Sequence, residues 1–274
     1  MNDRRELEQE GEVEGKAKSK PKREDDKGEA RRPTDADRAP RGRAARREVP
    51  KEQAAALGGI LTVVLLLVAT FLAGKPPRAD AMPSEISSYF FEKRGRLQAG
   101  AFVTGLAAAA FAWFLAGLWS RLRRRNHDTV TPAAAALIGG VGALVLTVAG
   151  TMFHLTLSYR SGTADAGVLF DLGNFSYAAV AFPFAVLAAG TGVAASRGAT
   201  LPGWIVRASY WATPIVLVRS FAFFSQEGSF RTNGVIFYIT FAVIAIWIIL
   251  VSVGLMRRAP EREPRRDDDE EDED

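Results

Sequence analysis

The side chains that could do chemistry within the apolar part of this sequence are few. His154, Asp171, Arg207 and Arg219 are the ionisable residues that interrupt its long apolar runs. An ionisable group in hydrocarbon is costly, so each is a candidate for a proton path, an ion path or a ligand contact. The alternative is anchoring, because arginines extend to lipid headgroups and a helix dipole favours an aspartate at its N-terminus.

Three of these side chains are expected at a similar depth. If the apolar runs cross a membrane in alternating directions, His154, Asp171 and Arg219 fall toward the outer face, together with Asn174. Asp171 and Arg219 can pair, and histidine titrates closest to physiological pH. The candidate polar cluster is therefore His154, Asp171, Asn174 and Arg219. It is interpreted either as a site for a small ligand, an ion or a proton, or as a set of interfacial anchors.

Familiar motifs of enzymes and metal sites are missing from the sequence. It contains no cysteine, which excludes disulfides, cysteine-ligated zinc and iron–sulfur clusters. It also contains no His-Glu-x-x-His, no Gly-x-Ser-x-Gly and no Gly-rich phosphate-binding lysine motif. We therefore predict no catalytic residue, no metal ligand and no cofactor, and a protein that is not an enzyme. An intramembrane enzyme is the alternative.

Six apolar runs must position these side chains. Each is close to the ~20 residues that a helix needs to cross the hydrocarbon, where backbone groups must pair within their own segment. The expected fold class is all-α, a polytopic membrane protein with a bundle of six transmembrane helices and disordered charged tails. For the first run, a signal sequence cleaved near Ala79–Ala81 is the alternative, but this run begins late for such a signal. The expected spans are 55–74, 98–120, 133–157, 172–195, 203–224 and 234–256.

Two charged tails flank the expected transmembrane domain, residues 55–256. Residues 1–54 mix acidic and basic side chains, and residues 257–274 end in a run of acids. With few aromatic or branched apolar residues they cannot bury enough surface to offset ordering entropy, so we expect disorder. The stretch 16–23 has the composition of a nucleic-acid patch, but the interspersed acids favour a solvated polyampholyte, and we do not expect nucleic acid as a partner.

The distribution of Lys and Arg near the span ends predicts the orientation. These residues are more frequent on the side that holds both tails, which favours cytoplasmic termini. The lipid bilayer is the expected partner, and the arginines from Arg38 to Arg47 are expected to attract anionic lipid. Basic residues after span 2 are expected to face the inner headgroups. These lipid-facing basic residues are Arg121, Arg123, Arg124 and Arg125.

Small residues and prolines predict how the spans pack. Small residues at four-residue spacing let helices approach closely in lipid, which favours spans 2, 3 and 4 as the centre of the bundle. Pro183 and Pro214 are expected to kink spans 4 and 5. The segment 86–91 is expected to lie in the membrane interface as a short amphipathic turn. The stripes of small residues are Ala101, Gly105 and Ala109 in span 2 and Ala181, Ala185 and Ala189 in span 4.

Three short segments carry a resemblance to known proteins. They are Tyr89-Phe90-Phe91 with Arg94-Gly95-Arg96, then Leu169-Phe170-Asp171-Leu172-Gly173, and Leu201-Pro202-Gly203-Trp204. Over about residues 86–256 the chain resembles six-helix integral membrane proteins of unknown function from high-GC bacteria. This resemblance implies a six-helix fold and a bacterial inner (cytoplasmic) membrane. It implies no activity and no catalytic residues.

Two functions are compatible with these patterns. The first is a non-enzymatic accessory or structural membrane protein whose tails bind partners or lipid. The second is a small transporter, or a sensor of a ligand or of protons, that uses the outward-facing polar cluster between spans 3, 4 and 5. The first predicts that the side chains of the cluster reach separately toward lipid headgroups. The second predicts that they line a common enclosed cavity.

Overall fold

The computed structural model describes residues 51–78, 81–123, 127–160, 166–224 and 234–257. Within these ranges the chain is helical and forms no strand, which confirms the all-α class. Almost all of both predicted tails, and with them Arg124 and Arg125, lies outside the described residues. The helices are α1 Lys51–Ala73, α2 Pro83–Glu92, α3 Arg94–Leu122, α4 Val130–Tyr159, α5 Ala166–Ala179, α6 Ala181–Gly198, α7 Gly203–Leu217 and α8 Val235–Met256, with 3-10 segments at His127–Thr129 and Val218–Phe223.

Five stretches of the described chain are long and apolar enough to cross a membrane. This marks the chain as a polytopic membrane protein, but it does not confirm the predicted number of six spans. The predicted span 203–224 is the exception, because α7 has 15 residues and the chain then tightens into a 3-10 segment. The five stretches are Gln53–Ala73, Arg94–Leu122, Val130–Tyr159, Ala166–Gly198 and Val235–Met256.

Both prolines within the predicted spans interrupt regular helix. Pro183 has no N–H to donate to the carbonyl group of Ala179, and the chain divides there into α5 and α6, with Val180 between them. Pro214 lies inside α7, which ends three residues later at Leu217. The carbonyl group of Ala179 is thereby left without that partner in its own helix.

Helices α4 and α6 approach each other closely in the bundle's core. A Cβ atom added at Gly190 would lie 2.7 Å from the carbonyl oxygen of Pro132, and one added at Gly139 would lie 2.5 Å from that of Pro183. Glycine is therefore required at both places. The stripe of span 2 differs, because Gly105 is exposed and has no neighbouring atom within 4 Å of an added Cβ. The prediction of a central, packed stripe is thus wrong for Gly105 within this chain.

The short helix α2 connects α1 to α3 and packs on one side only. Ile86 and Phe90 are buried against a small apolar cluster formed by Leu157, Ala166 and Phe170. The side chain of Phe91 on the same helix is exposed. The segment predicted as an amphipathic turn is therefore a one-sided helix that covers the end of α4 and the start of α5.

Candidate functional site

A cavity of about 270 Å³ lies where α1 ends and α3 and α8 begin. Its walls are mainly apolar and come from seven helices and the 3-10 segment, with Leu66, Leu155 and Phe241 among them. None of the described lining residues is an aspartate or a glutamate, and Arg219 is the one lysine or arginine among them. The polar side chains that line it are Thr70, Tyr89, Thr104, Thr147, Thr151, His154, Asn174, Tyr177, Arg219, Tyr238 and Thr240.

Three of the four residues predicted as a polar cluster line this one cavity. His154 comes from α4, Asn174 from α5 and Arg219 from the 3-10 segment after α7. Asp171 is exposed and does not line the cavity. Residues 170, 174 and 177 share one face of α5 at helical spacing, and Asp171 is rotated about 100° from Phe170. The predicted site therefore has three of its four members.

The predicted ion pair between Asp171 and Arg219 is not formed. Among the described residues, Arg219 donates from Nε to the carbonyl oxygen of Tyr177 at 3.3 Å, and its guanidinium lies 4.5 Å from the ring centroid of Phe237. The carbonyl group belongs to the last turn of α5, where the final four carbonyl groups have no partner within the helix. Arg219 is only 6% exposed, so a largely desolvated cation meets a backbone dipole and an aromatic face instead of a carboxylate.

The imidazole of His154 lies among aromatic rings. Phe170 stacks on it with centroids 5.7 Å apart, and the rings of Phe90 and Tyr177 lie 5.6 and 5.5 Å away. A Cβ atom added at Gly173 would overlap the imidazole, so a glycine there makes room for it. The Nε2 atom is buried and has no hydrogen-bond partner in the described part of the chain.

Asn174 carries a second unpaired nitrogen. The side chain is 4% exposed, and its Nδ2 has no hydrogen-bond partner among the described residues. An amide nitrogen is a donor only, whereas the ring nitrogen of a neutral histidine donates or accepts according to its tautomer. The wall of the cavity therefore contains two buried nitrogen atoms without a hydrogen-bond partner among the described residues, on two helices, and a buried cation.

Several residues around the cavity were missed by reasoning from the sequence. The hydroxyl groups of Thr151 and Tyr177 are hydrogen-bonded at 2.9 Å and connect α4 to α5. Thr147, Thr151 and His154 follow one another at helical spacing, a pattern visible in the sequence. The fit of Gly173 to the imidazole has no such signal, because it depends on contact between two helices.

Helix α2 closes one side of the cavity through Tyr89. Its hydroxyl donates to the carbonyl oxygen of Ala73 at the end of α1, at 2.6 Å, and Nζ of Lys93 lies 4.5 Å from its ring centroid. Burial raises the pKa of Tyr89 above its usual value of 10.0, so the phenol remains a donor at neutral pH. The connection between α1 and α3 is thereby fixed against the cavity.

At the opposite end of the bundle, the arginines that were predicted to face lipid differ in their exposure. Arg121 is 7% exposed and donates to the carbonyl oxygens of Thr200 and Arg257, each at 3.2 Å. For this residue the prediction is wrong, because backbone carbonyls of the α6–α7 connection and of the end of α8 bind its guanidinium. Arg123 is exposed, with its guanidinium 5.9 Å from the ring centroid of Trp119.

Within the described residues, no group of three or more His, Asp or Glu side chains is close enough to hold a metal ion. The described lining of the cavity offers hydrogen bonds, one positive charge and apolar contact. No protein-family model, no curated protein and no solved structure matches this chain. The resemblance to six-helix bacterial membrane proteins stays a prediction.

Proposed function

We propose that this protein is a non-enzymatic, six-pass protein of the bacterial cytoplasmic membrane that binds a small ligand, as a sensor or a transporter. The observation that carries this proposal is the shared cavity of about 270 Å³ with His154, Asn174 and Arg219 in its walls. The volume is close to the lower end of ordinary ligand pockets, which begin at about 300 Å³. A largely apolar wall with a few convergent polar groups is also typical of such pockets.

The energetic cost of the unpaired polar groups favours binding over a purely structural role. A buried donor or acceptor without a partner costs about 1–3 kcal/mol, and Asn174 and His154 each contribute one such atom. A largely desolvated cation such as Arg219, with no carboxylate among the described lining residues, costs several kcal/mol more. Apolar side chains at these three positions would make a more stable bundle, so their presence is explained if a ligand pairs with them.

The two ends of the bundle support the proposed orientation. Basic residues gather at the end that holds Arg121, Arg123 and Arg257, which by the positive-inside rule is cytoplasmic. The cavity is then near the outer face. Both tails are cytoplasmic in this arrangement, and the arginines from Arg38 to Arg47 attract anionic lipid at about 1 kcal/mol each. The accessory role of the tails, in binding partners or lipid, is compatible with a ligand-binding core.

A variant that fills the cavity tests the proposed function. Ala69 is buried and lines the cavity, so Ala69→Phe removes space for a ligand without removing a polar group. Ala109 is exposed on α3 and is the matched control, as Ala109→Phe. We expect a small molecule to co-purify with the wild type and with Ala109→Phe, detected by native mass spectrometry of the full chain, and to be lost from Ala69→Phe. Equal small-molecule content in all three proteins, or none in the wild type, would contradict ligand binding in the cavity.

A further inference from the structure

We infer that the ligand is a single-chain amphiphile with a carboxylate head, which binds at Arg219 and Asn174 while its chain follows the apolar wall. This inference rests on the proposed ligand-binding function and adds the chemical class of the ligand. Three observations carry it: the charge of the described lining, the unused donor of Asn174, and the size and apolarity of the space.

The charge of the lining selects an anion. Arg219 is a buried cation, and among the described lining residues there is no carboxylate to neutralise it. A neutral ligand would leave this charge unpaired, and a cationic ligand would be repelled. A guanidinium and a carboxylate match in geometry and form charge-assisted hydrogen bonds. A single arginine suits a monoanion better than a phosphate monoester, which carries close to two charges at neutral pH.

The unpaired nitrogen of Asn174 gives the head a second donor. Nδ2 can only donate, and it is buried without a partner in the described chain. A carboxylate has two oxygens that only accept, so both donors can be satisfied at once. An amine or an ammonium head would instead place donor against donor at this position.

The remaining space selects a short chain. Leu66, Leu155 and Phe241 belong to the apolar wall that extends from the polar end. The volume of about 270 Å³ equals that of about nine molecules of liquid water at about 30 Å³ each, which suits a carboxylate with a chain of about eight carbons. Octanoate is therefore the appropriate probe.

The test measures binding of radiolabelled octanoate to the full chain in nanodiscs, with empty nanodiscs subtracted. Unlabelled octanoate, octanamide, octylamine and octyl phosphate compete at pH 7.5. We expect octanoate to compete at least tenfold better than octanamide and octylamine, and better than octyl phosphate. An octyl phosphate that competes best would overturn the carboxylate head, and an equal effect of octanoate and octanamide would overturn an anionic head altogether. Neither result would contradict the proposed ligand binding if Ala69→Phe still removed the small molecule that co-purifies with the wild type.

Variants of Arg219 and Asn174 test whether these two residues cause the preference for octanoate. Arg219→Met should weaken octanoate binding at least tenfold, whereas Arg219→Lys should retain most of the preference over octanamide. Arg207 is exposed on α7 and lies outside the cavity, so Arg207→Met is the control and should bind octanoate as the wild type does. Asn174→Asp changes one atom in the head site, and its carboxylate neutralises Arg219, so this variant should lose most of the preference for octanoate over octanamide.

The nearly isosteric Asn174→Asp keeps the inference falsifiable if Arg219→Met fails to fold. An unchanged preference in Asn174→Asp would overturn the assigned head site. Octanoate binding by Arg219→Met at the wild-type level would do the same.

Discussion

At the scale of single residues, the sequence predicted which polar residues lie at a similar level of neighbouring helices, but it did not predict which way each side chain faces. His154, Asn174 and Arg219 were identifiable because polar groups stand out in apolar runs, and position along a helix sets depth. Asp171 lies on α5 within one turn of Asn174, yet it is exposed. Which face of α5 turns inward depends on its contacts with α4, and no pattern around Asp171 carries that information.

Because Gly173 packs directly against His154, the effect of one methyl group added at Gly173 can be predicted. Gly173→Ala should destabilise the protein by about 1–3 kcal/mol, because the new Cβ overlaps the imidazole and the ring is held by three aromatic neighbours. Gly167→Ala is the matched control on the same helix, where an added Cβ meets no atom within 4 Å. The measurement is the free energy of unfolding in mixed micelles, and equal values for both variants would contradict the predicted overlap.

The missing ion pair gives a second prediction at this scale. Since Asp171 is exposed and Arg219 contacts Tyr177 and Phe237, the effects of Asp171→Asn and Arg219→Leu on unfolding should add to within about 0.5 kcal/mol in the double variant. The hydrogen-bonded pair in the same region is the positive control, as Thr151→Val with Tyr177→Phe, and should show coupling. A coupling of more than about 1 kcal/mol between Asp171 and Arg219 would restore the ion pair.

At the scale of helices, the spacing of small residues predicts that a face can pack, and the partner decides whether it does. The stripes of α3 and α6 have the same four-residue period. Ala181 and Ala185 are buried in α6, and Gly190 is in backbone contact with α4, whereas Gly105 of α3 has open space beside it. Association in lipid depends on close packing of two surfaces, so one sequence face specifies only half of the contact.

Substitution of Gly190 and of Gly105 by alanine tests whether the first face is packed and the second is open. Gly190→Ala should destabilise the bundle by about 2 kcal/mol, because the added Cβ would lie 2.7 Å from the oxygen of Pro132 and 2.8 Å from the nitrogen of Ala136, both backbone atoms that cannot rotate away. Gly105→Ala should be neutral or slightly stabilising, since alanine is the better helix former. Thermal unfolding of both purified proteins is the measurement. A loss at Gly105 as large as that at Gly190 would show that the open face of α3 is packed after all.

At the scale of the whole molecule, the number of crossings depends on the segment 203–223. Ile205 near the start of α7 packs on Gly254 near the end of α8, and Arg219 beyond α7 contacts Phe237 near the start of α8. Between Phe237 and Gly254, α8 rises about 25 Å at about 1.5 Å per residue, most of the ~30 Å hydrocarbon thickness. The segment 203–223 accompanies α8 over this length. Because Pro214 and the 3-10 segment shorten α7, this segment is not one long α-helix, and its crossing of the membrane stays a prediction.

Whether the number of crossings is even or odd determines on which side of the membrane each tail lies. Six crossings place both tails on one side of the membrane, whereas five place them on opposite sides. Because the chain has no cysteine, single substitutions report without background. In intact cells a membrane-impermeant maleimide should label Ser161→Cys, in the α4–α5 connection, but neither Asn2→Cys nor Asp267→Cys. Lysis should expose both tails to labelling, which controls for their reactivity. If only one tail were labelled in intact cells, the segment 203–223 would not cross. If both tails were labelled and Ser161→Cys were protected, six crossings would stand with the cavity facing the cytoplasm.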